Sequence, residues 1–134
     1  MKIIHLVLGK ANPARMNGVN KVVYYLAREQ ERMGCKLSVW GITPTPEIQS
    51  AYNQSFDIKL FQSMGKGFKI DSELVMAIKT LDPETVFHIH GAFIPAYISV
   101  TRLLRKQNIP YVFTPHGAYN AQAMKKSRIQ KWLF

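Results

Sequence analysis

Apolar and polar positions fall along this chain in alternating blocks, and the blocks carry two different periods. Lys2 to Leu8 is a near-continuous apolar run rich in β-branched residues and closed by Gly9. Such a run reads as a strand buried on both faces, as in a parallel sheet. A polar loop follows, with Asn12-Pro13 and Asn17-Gly18 as turn signals. The period then changes to that of a helix over Val19 to Met33, with Val19, Val22, Val23 and Leu26 on one side and Arg28, Glu29, Glu31 and Arg32 on the wet side. Gly34 is a natural stop.

Leu37 to Ile42 is a second short apolar strand, Thr43 to Gln54 a loop, and Phe56 to Phe61 an alternating third strand. After the Gly/Lys turn of Ser63 to Gly67, Asp71 caps a helix carrying Leu74, Ile78 and Leu81, which Pro83 ends. Val86 to His90 is a fourth strand with Gly91 directly behind it. Pro95 starts a helix with Ala96, Val100, Leu103 and Leu104 as its stripe, and Tyr111 to Thr114 is a fifth strand. Ala118 to Phe134 has helical character. The order β-α-β-β-α-β-α-β-α predicts an α/β chain: a single Rossmann-like domain over residues 1–134, with a mostly parallel sheet and helices on both faces. Right-handed crossovers make 3-2-1-4-5 the expected strand order.

Composition narrows the class. Of 134 residues, 47% are hydrophobic and 19% charged, too apolar for a disordered chain. Cys35 is the single cysteine, so no internal disulfide is available and a reducing, cytoplasmic setting is expected. The first apolar run is too short for a signal-peptide core or a membrane span. The net charge is +10. Its basic excess is strongest after Glu84, beyond which Arg102, Arg105, Lys106, Lys125, Lys126, Arg128 and Lys131 meet no acidic residue. Such a field attracts phosphates of any origin. On a helical wheel over 122–134 the charges mix with the apolar residues, which predicts only weak, salt-sensitive peripheral contact with a membrane. Nucleic-acid binding is a rival reading of the charge. It lacks the basic and aromatic interleaving that single strands require, and no nucleic-acid partner is expected.

Candidate chemistry gathers where strands end, since open parallel sheets bind ligands beyond their carboxyl ends. Three segments lie there: the loop from Gly9 to Gly18, His88-Ile89-His90-Gly91, and Thr114-Pro115-His116-Gly117. Gly18 at a helix start lets a ligand approach the backbone, whereas the plainer reading is that Asn17 caps the helix and Gly18 makes the turn. No GxGxxG follows the first strand and no GxxxxGK[ST] exists, which argues against dinucleotide and P-loop enzymes and leaves no cofactor expected. His88 and His90 share a strand face and with His116 resemble a three-nitrogen metal set, the basis of a metal-hydrolase rival. No carboxylate after Glu84 is there to orient such a set, and no metal is expected. His88, farther from the strand end, reads as a core histidine; His90 and His116, each followed by glycine, read as site residues.

Taken in order, four segments resemble the N-terminal domain of group 1 glycosyltransferases (family four, GT-B fold). They are Asn17-Gly18-Val19, then Glu31-Arg32-Met33-Gly34-Cys35 before Leu37-Ser38-Val39, then His88-Ile89-His90-Gly91, then Thr114-Pro115-His116-Gly117. Asn17 stands where the family has a first glycine, and Cys35 where histidine is common. The resemblance implies one half of a GT-B fold, the acceptor side. It implies a retaining, metal-independent transfer of a sugar from a nucleotide diphosphate sugar to a glycan or lipid-linked acceptor, with bacterial surface polysaccharide synthesis as the setting. His116 would be the residue nearest the chemistry, with Asn17, Gly18, His90, Gly91 and Gly117 binding substrate. The family's Glu-x7-Glu donor motif is not among these 134 residues, so the donor-binding domain is expected to lie outside them.

Overall fold

The computed structural model describes residues 1–14, 18–47 and 55–116; Asn17, Gly117 and the helix expected over 118–134 lie outside the described residues. The elements run β1 (Lys2–Leu8), α1 (Gly18–Arg32), β2 (Lys36–Thr43), β3 (Asp57–Gln62), α2 (Ser72–Lys79), β4 (Thr85–His90), α3 (Pro95–Lys106) and β5 (Tyr111–Thr114). The five strands form one all-parallel sheet in the expected order β3-β2-β1-β4-β5. The central strands are buried on both faces, which is why apolar residues dominate β1 and β2, with His5 and Ser38 the polar residues between their ends.

Alternate side chains of the same strands feed two cores. Ile4, Leu6, Trp40, Phe87 and Ile89 meet α2 and α3 on one face, through Leu74, Ile78, Tyr97, Val100 and Leu104. Val7, Leu37, Val39 and Ile58 meet α1 on the other, through Val23, Tyr24 and Ala27.

The helix ends follow their chemistry. At the end of α1, Gly34 takes φ +91°, its N–H donates to the Glu31 carbonyl at 2.9 Å, and the Cys35 N–H donates to the Gln30 carbonyl at 3.0 Å. This paired cap is the Schellman pattern. Asn108 closes α3 in the same way, with φ +56°. The Asp71 carboxylate caps α2 by accepting from the Glu73 N–H, and Pro95 occupies the first turn of α3.

Two sequence expectations are corrected. The second helix stops at Lys79 rather than at Pro83: the Thr80 hydroxyl bonds the Met76 and Ala77 carbonyls, and Leu81 packs on the core from outside the helix. The buried stripe of α1 is also rotated. It runs through Asn20, Val23, Tyr24 and Ala27, while Val22 is 48% exposed. Asn20 is drawn inward because its amide oxygen accepts from the Ala11 N–H at 2.8 Å and its amide nitrogen donates to the Leu8 carbonyl at 3.3 Å.

Candidate functional site

Apart from the helix caps at Gly34 and Asn108, positive-φ residues gather at the carboxyl edge of the sheet. Gly9 and Ala11 beyond β1, Gly91 and Phe93 beyond β4, and His116 beyond β5 all take positive φ. Non-glycine residues in the left-handed region cost of order 1 kcal/mol or more each and cluster at ligand sites. Here Ala11, Phe93 and His116 share one edge with the sequence-predicted His90-Gly91 corner. Gly91 is fixed there by donating to the Thr114 carbonyl at 2.9 Å, and the Tyr97 hydroxyl donates to the His90 carbonyl at 2.8 Å.

Four histidines form the centre of the α1 face. β1 and β4 are in parallel register with His5 opposite His88, and the pleat puts His90 on the same side two residues on. His5 Nδ1 lies 2.9 Å from His90 Nε2, and His90 Nδ1 lies 2.9 Å from His116 Nε2. At the far end His5 Nε2 lies 2.6 Å from Gln30 Oε1, reached from α1. The result is a continuous line from Gln30 through His5 and His90 to His116 at the edge. His88 stands beside it, stacked on His90 with centroids 4.0 Å apart and tied to the Thr114 hydroxyl at 2.6 Å.

The burial of these rings reverses one expectation: His90 is 1% exposed and His88 is only half-buried, so the core histidine is His90. Both stand on β4, and the cause is what each ring meets. His90 lies between His5 and His116, whereas His88 looks toward β5, whose Val112 opposite it is 53% exposed. His5 and Gln30 were not singled out from the sequence.

Burial also sets the protonation. His5 is lowered from 6.5 to about 4, by burial first, against an upward pull from the Gln30 bond and with His88 adding to the lowering. His90 is lowered to about 2 by burial, then by His88, His5 and His116. Burial also lowers His88, helped by His116, and it lowers His116. All four rings are therefore neutral at pH 7, each with one N–H and one lone pair.

The nitrogens of His5, His88 and His90 lie within 4.8 Å of one another. Both nitrogens of His5 and both of His90 are already engaged in hydrogen bonds. His88 and His90 are stacked with planes 28° apart, so their in-plane lone pairs do not converge as a tetrahedral metal requires. As placed, the cluster is a hydrogen-bonded line, not a ligand set.

Gly18 opens α1 as expected, and a Cβ built there meets nothing within 4 Å. Internal packing therefore does not demand glycine at this position, and the space beside it is open. The predicted Asn17 and Gly117 contacts fall outside the described residues. Sequence reasoning passed over a cavity of about 370 Å³ on the α2/α3 side of the same edge. Leu8, Ile42, Leu74 and Ile94 give it an apolar lining, with Lys66 and Lys69 as basic residues beside the Asp71 that caps α2. Its Gly/Lys segment reads from sequence only as a turn.

Among the described residues no helix is long and apolar enough to cross a membrane. The model of Glycosyltransferase Family 4 matches residues 16–134. No curated protein and no solved structure gives a significant match. The family match spans most of the chain, and the chain belongs to Glycosyltransferase Family 4.

Proposed function

Proceeding from that membership, we propose that residues 1–134 form the acceptor-side wall of a retaining glycosyltransferase. It moves a sugar from a nucleotide diphosphate sugar to a glycan or lipid-linked acceptor in bacterial surface polysaccharide synthesis. The observation that carries this reading is the meeting of His90, Gly91 and His116 at the carboxyl edge, with His90 Nδ1 and His116 Nε2 at 2.9 Å. In this role His116 hydrogen-bonds the transferring sugar beside the reacting centre. Asn17 and Gly18 admit the donor to the start of α1, Gly91 and Gly117 contact substrate, and the buried His90 supports His116 from behind rather than touching the acceptor. The cavity beside α2 and α3 suits the acceptor, because its apolar lining fits a lipid-linked chain and Lys66 and Lys69 fit a phosphate. The donor is gripped by a second domain across the cleft. The setting is cytoplasmic, with peripheral contact at the inner face of the membrane that high salt abolishes.

One wall excludes little water and cannot hold both substrates together, and positioning supplies much of the catalysis. Residues 1–134 alone are therefore expected to show no turnover of UDP- or GDP-sugars. Binding is the sharper test. Adding UDP-glucose, and separately GDP-mannose, to the ¹⁵N-labelled chain should shift the amide signals of Gly18, Gly91 and His116 ahead of all others. Shifts reproduced in full by inorganic phosphate, or confined to the basic helices, would overturn the reading.

A further inference from the structure

The line from Gln30 to His116 has a direction. A neutral imidazole carries one N–H, so a ring that bonds through both nitrogens donates at one and accepts at the other. Gln30 Oε1 can only accept, which places the His5 proton on Nε2 and leaves Nδ1 as a lone pair. His90 must then donate to it from Nε2, leaving its own Nδ1 to accept from His116 Nε2–H. The last ring ends with a bare Nδ1, which has no hydrogen-bond partner among the described residues.

Other features support this polarity. Gln30 sits three residues beyond Ala27 on the sheet-facing side of α1, and its carbonyl is pinned in the helix cap by the Cys35 N–H. His5 is fully buried and His90 nearly so, so water cannot readily exchange the two tautomers. Among the described residues no carboxylate contacts any ring of the line to make an imidazolium.

We propose that Gln30 and His5 are positioning residues that, acting through His90, hold His116 as the Nε2–H tautomer and leave its Nδ1 as an acceptor for a hydroxyl. The consequence is chemical selectivity at the edge. A neutral lone pair accepts from the O–H of a sugar and repels the oxygens of a phosphate, so the phosphates of a nucleotide ligand sit elsewhere. The sugar as source of that hydroxyl rests on the function proposed above; the tautomer does not.

Two-bond ¹⁵N–¹H correlation on the histidine-labelled chain at pH 8 reads each tautomer directly. His5, His90 and His116 are expected to carry their protons on Nε2, each with a bare Nδ1. Gln30→Met removes the anchoring acceptor from a half-buried position, and the His116 Nδ1 signal should move toward the average of two tautomers. Gln30→Glu restores an acceptor at the same place, and where the same spectrum shows His5 still carrying a single proton, on Nε2, the His116 signal should return, which a merely structural loss would not allow. A wild-type His116 protonated on Nδ1, or a His116 signal indifferent to Gln30→Met, overturns the proposal. If the tautomers are as stated but UDP-glucose and GDP-mannose leave His116 Nδ1 unmoved in a polypeptide that joins residues 1–134 to a donor-binding domain, the positioning line stands and the sugar-transfer reading alone fails.

Discussion

The two faces of this sheet are built from the same strands and obey opposite rules. On the α2/α3 face, β1 and β4 contribute Ile4, Leu6, Phe87 and Ile89, all fully buried in an apolar core. One residue away on each strand, the α1 face receives His5, His88 and His90. The first face holds the fold together by excluding water. The second buries the rings of His5 and His90, whose nitrogens must all be matched, because an unmatched buried polar group costs about 1–3 kcal/mol, and leaves His88 and His116 partly open. The line is thus specific in arrangement but gives less stability than the apolar face does.

The largest break in this comparison is on the apolar side. Phe87→Ala should cost about 3–5 kcal/mol in urea unfolding, since the ring is fully buried and contacts Trp40 edge-on. The loss should be the same at pH 7.5 and pH 5. A loss below about 1 kcal/mol would show that this face is not the main core.

Acid should break the other face. The His5 imidazole titrates near 4 in the fold against an ordinary 6.5. Because the folded value is the lower one, the unfolded chain takes up protons first. Stability is therefore full above pH 6.5 and falls as pH drops toward 4, by about 3 kcal/mol from His5 alone. His90, lowered further, extends the loss to lower pH. Urea midpoints across pH 7.5 to 4.5 measure this, and a flat profile would mean that the rings are not buried neutral.

A smaller effect tests the junction between α1 and the edge. Asn20→Ala leaves the Ala11 N–H without its 2.8 Å partner and should cost about 1–3 kcal/mol, with faster amide exchange at Ala11. Unchanged exchange there would place the Asn20 amide elsewhere.

Asn20 also shows what could and could not be read from the chain. Strand number and parallel sense were legible because buried parallel strands are written as apolar runs between helix-period segments, and the half-Rossmann default among right-handed crossovers matched the order. The His90-Gly91 and His116 corners were legible because histidine before glycine at a strand end is conspicuous. The orientation of α1 was not. Period counting treats Asn20 and Gln30 as wet, yet both turn toward the sheet side, one to hold a loop and the other to meet His5. His5 was missed for a related reason: inside an apolar run, nothing in β1 itself announces partners 85 and 25 residues away. Three polar residues on neighbouring elements, His5, His90 and Gln30, were the signal available, and only the register of β1 against β4 together with the packing of α1 brings them together.

The rotation of α1 predicts the smallest effect. Val22→Ala should change stability by no more than about 0.5 kcal/mol, whereas Val23→Ala, at a fully buried position, should cost about 2 kcal/mol. Equal costs would restore the stripe expected from sequence periodicity.

The most direct test of sugar transfer is turnover in a polypeptide that joins residues 1–134 to a donor-binding domain, comparing wild type with His116→Ala. With His116 beside the reacting sugar, kcat should fall on the order of 10²-fold, as when one preorganised hydrogen bond is removed from a transition state, while stability falls only by about 1–3 kcal/mol, the cost of the unmatched His90 Nδ1, and the enzyme stays folded. Unchanged kcat in a folded His116→Ala enzyme would contradict the assignment of this edge to the chemistry.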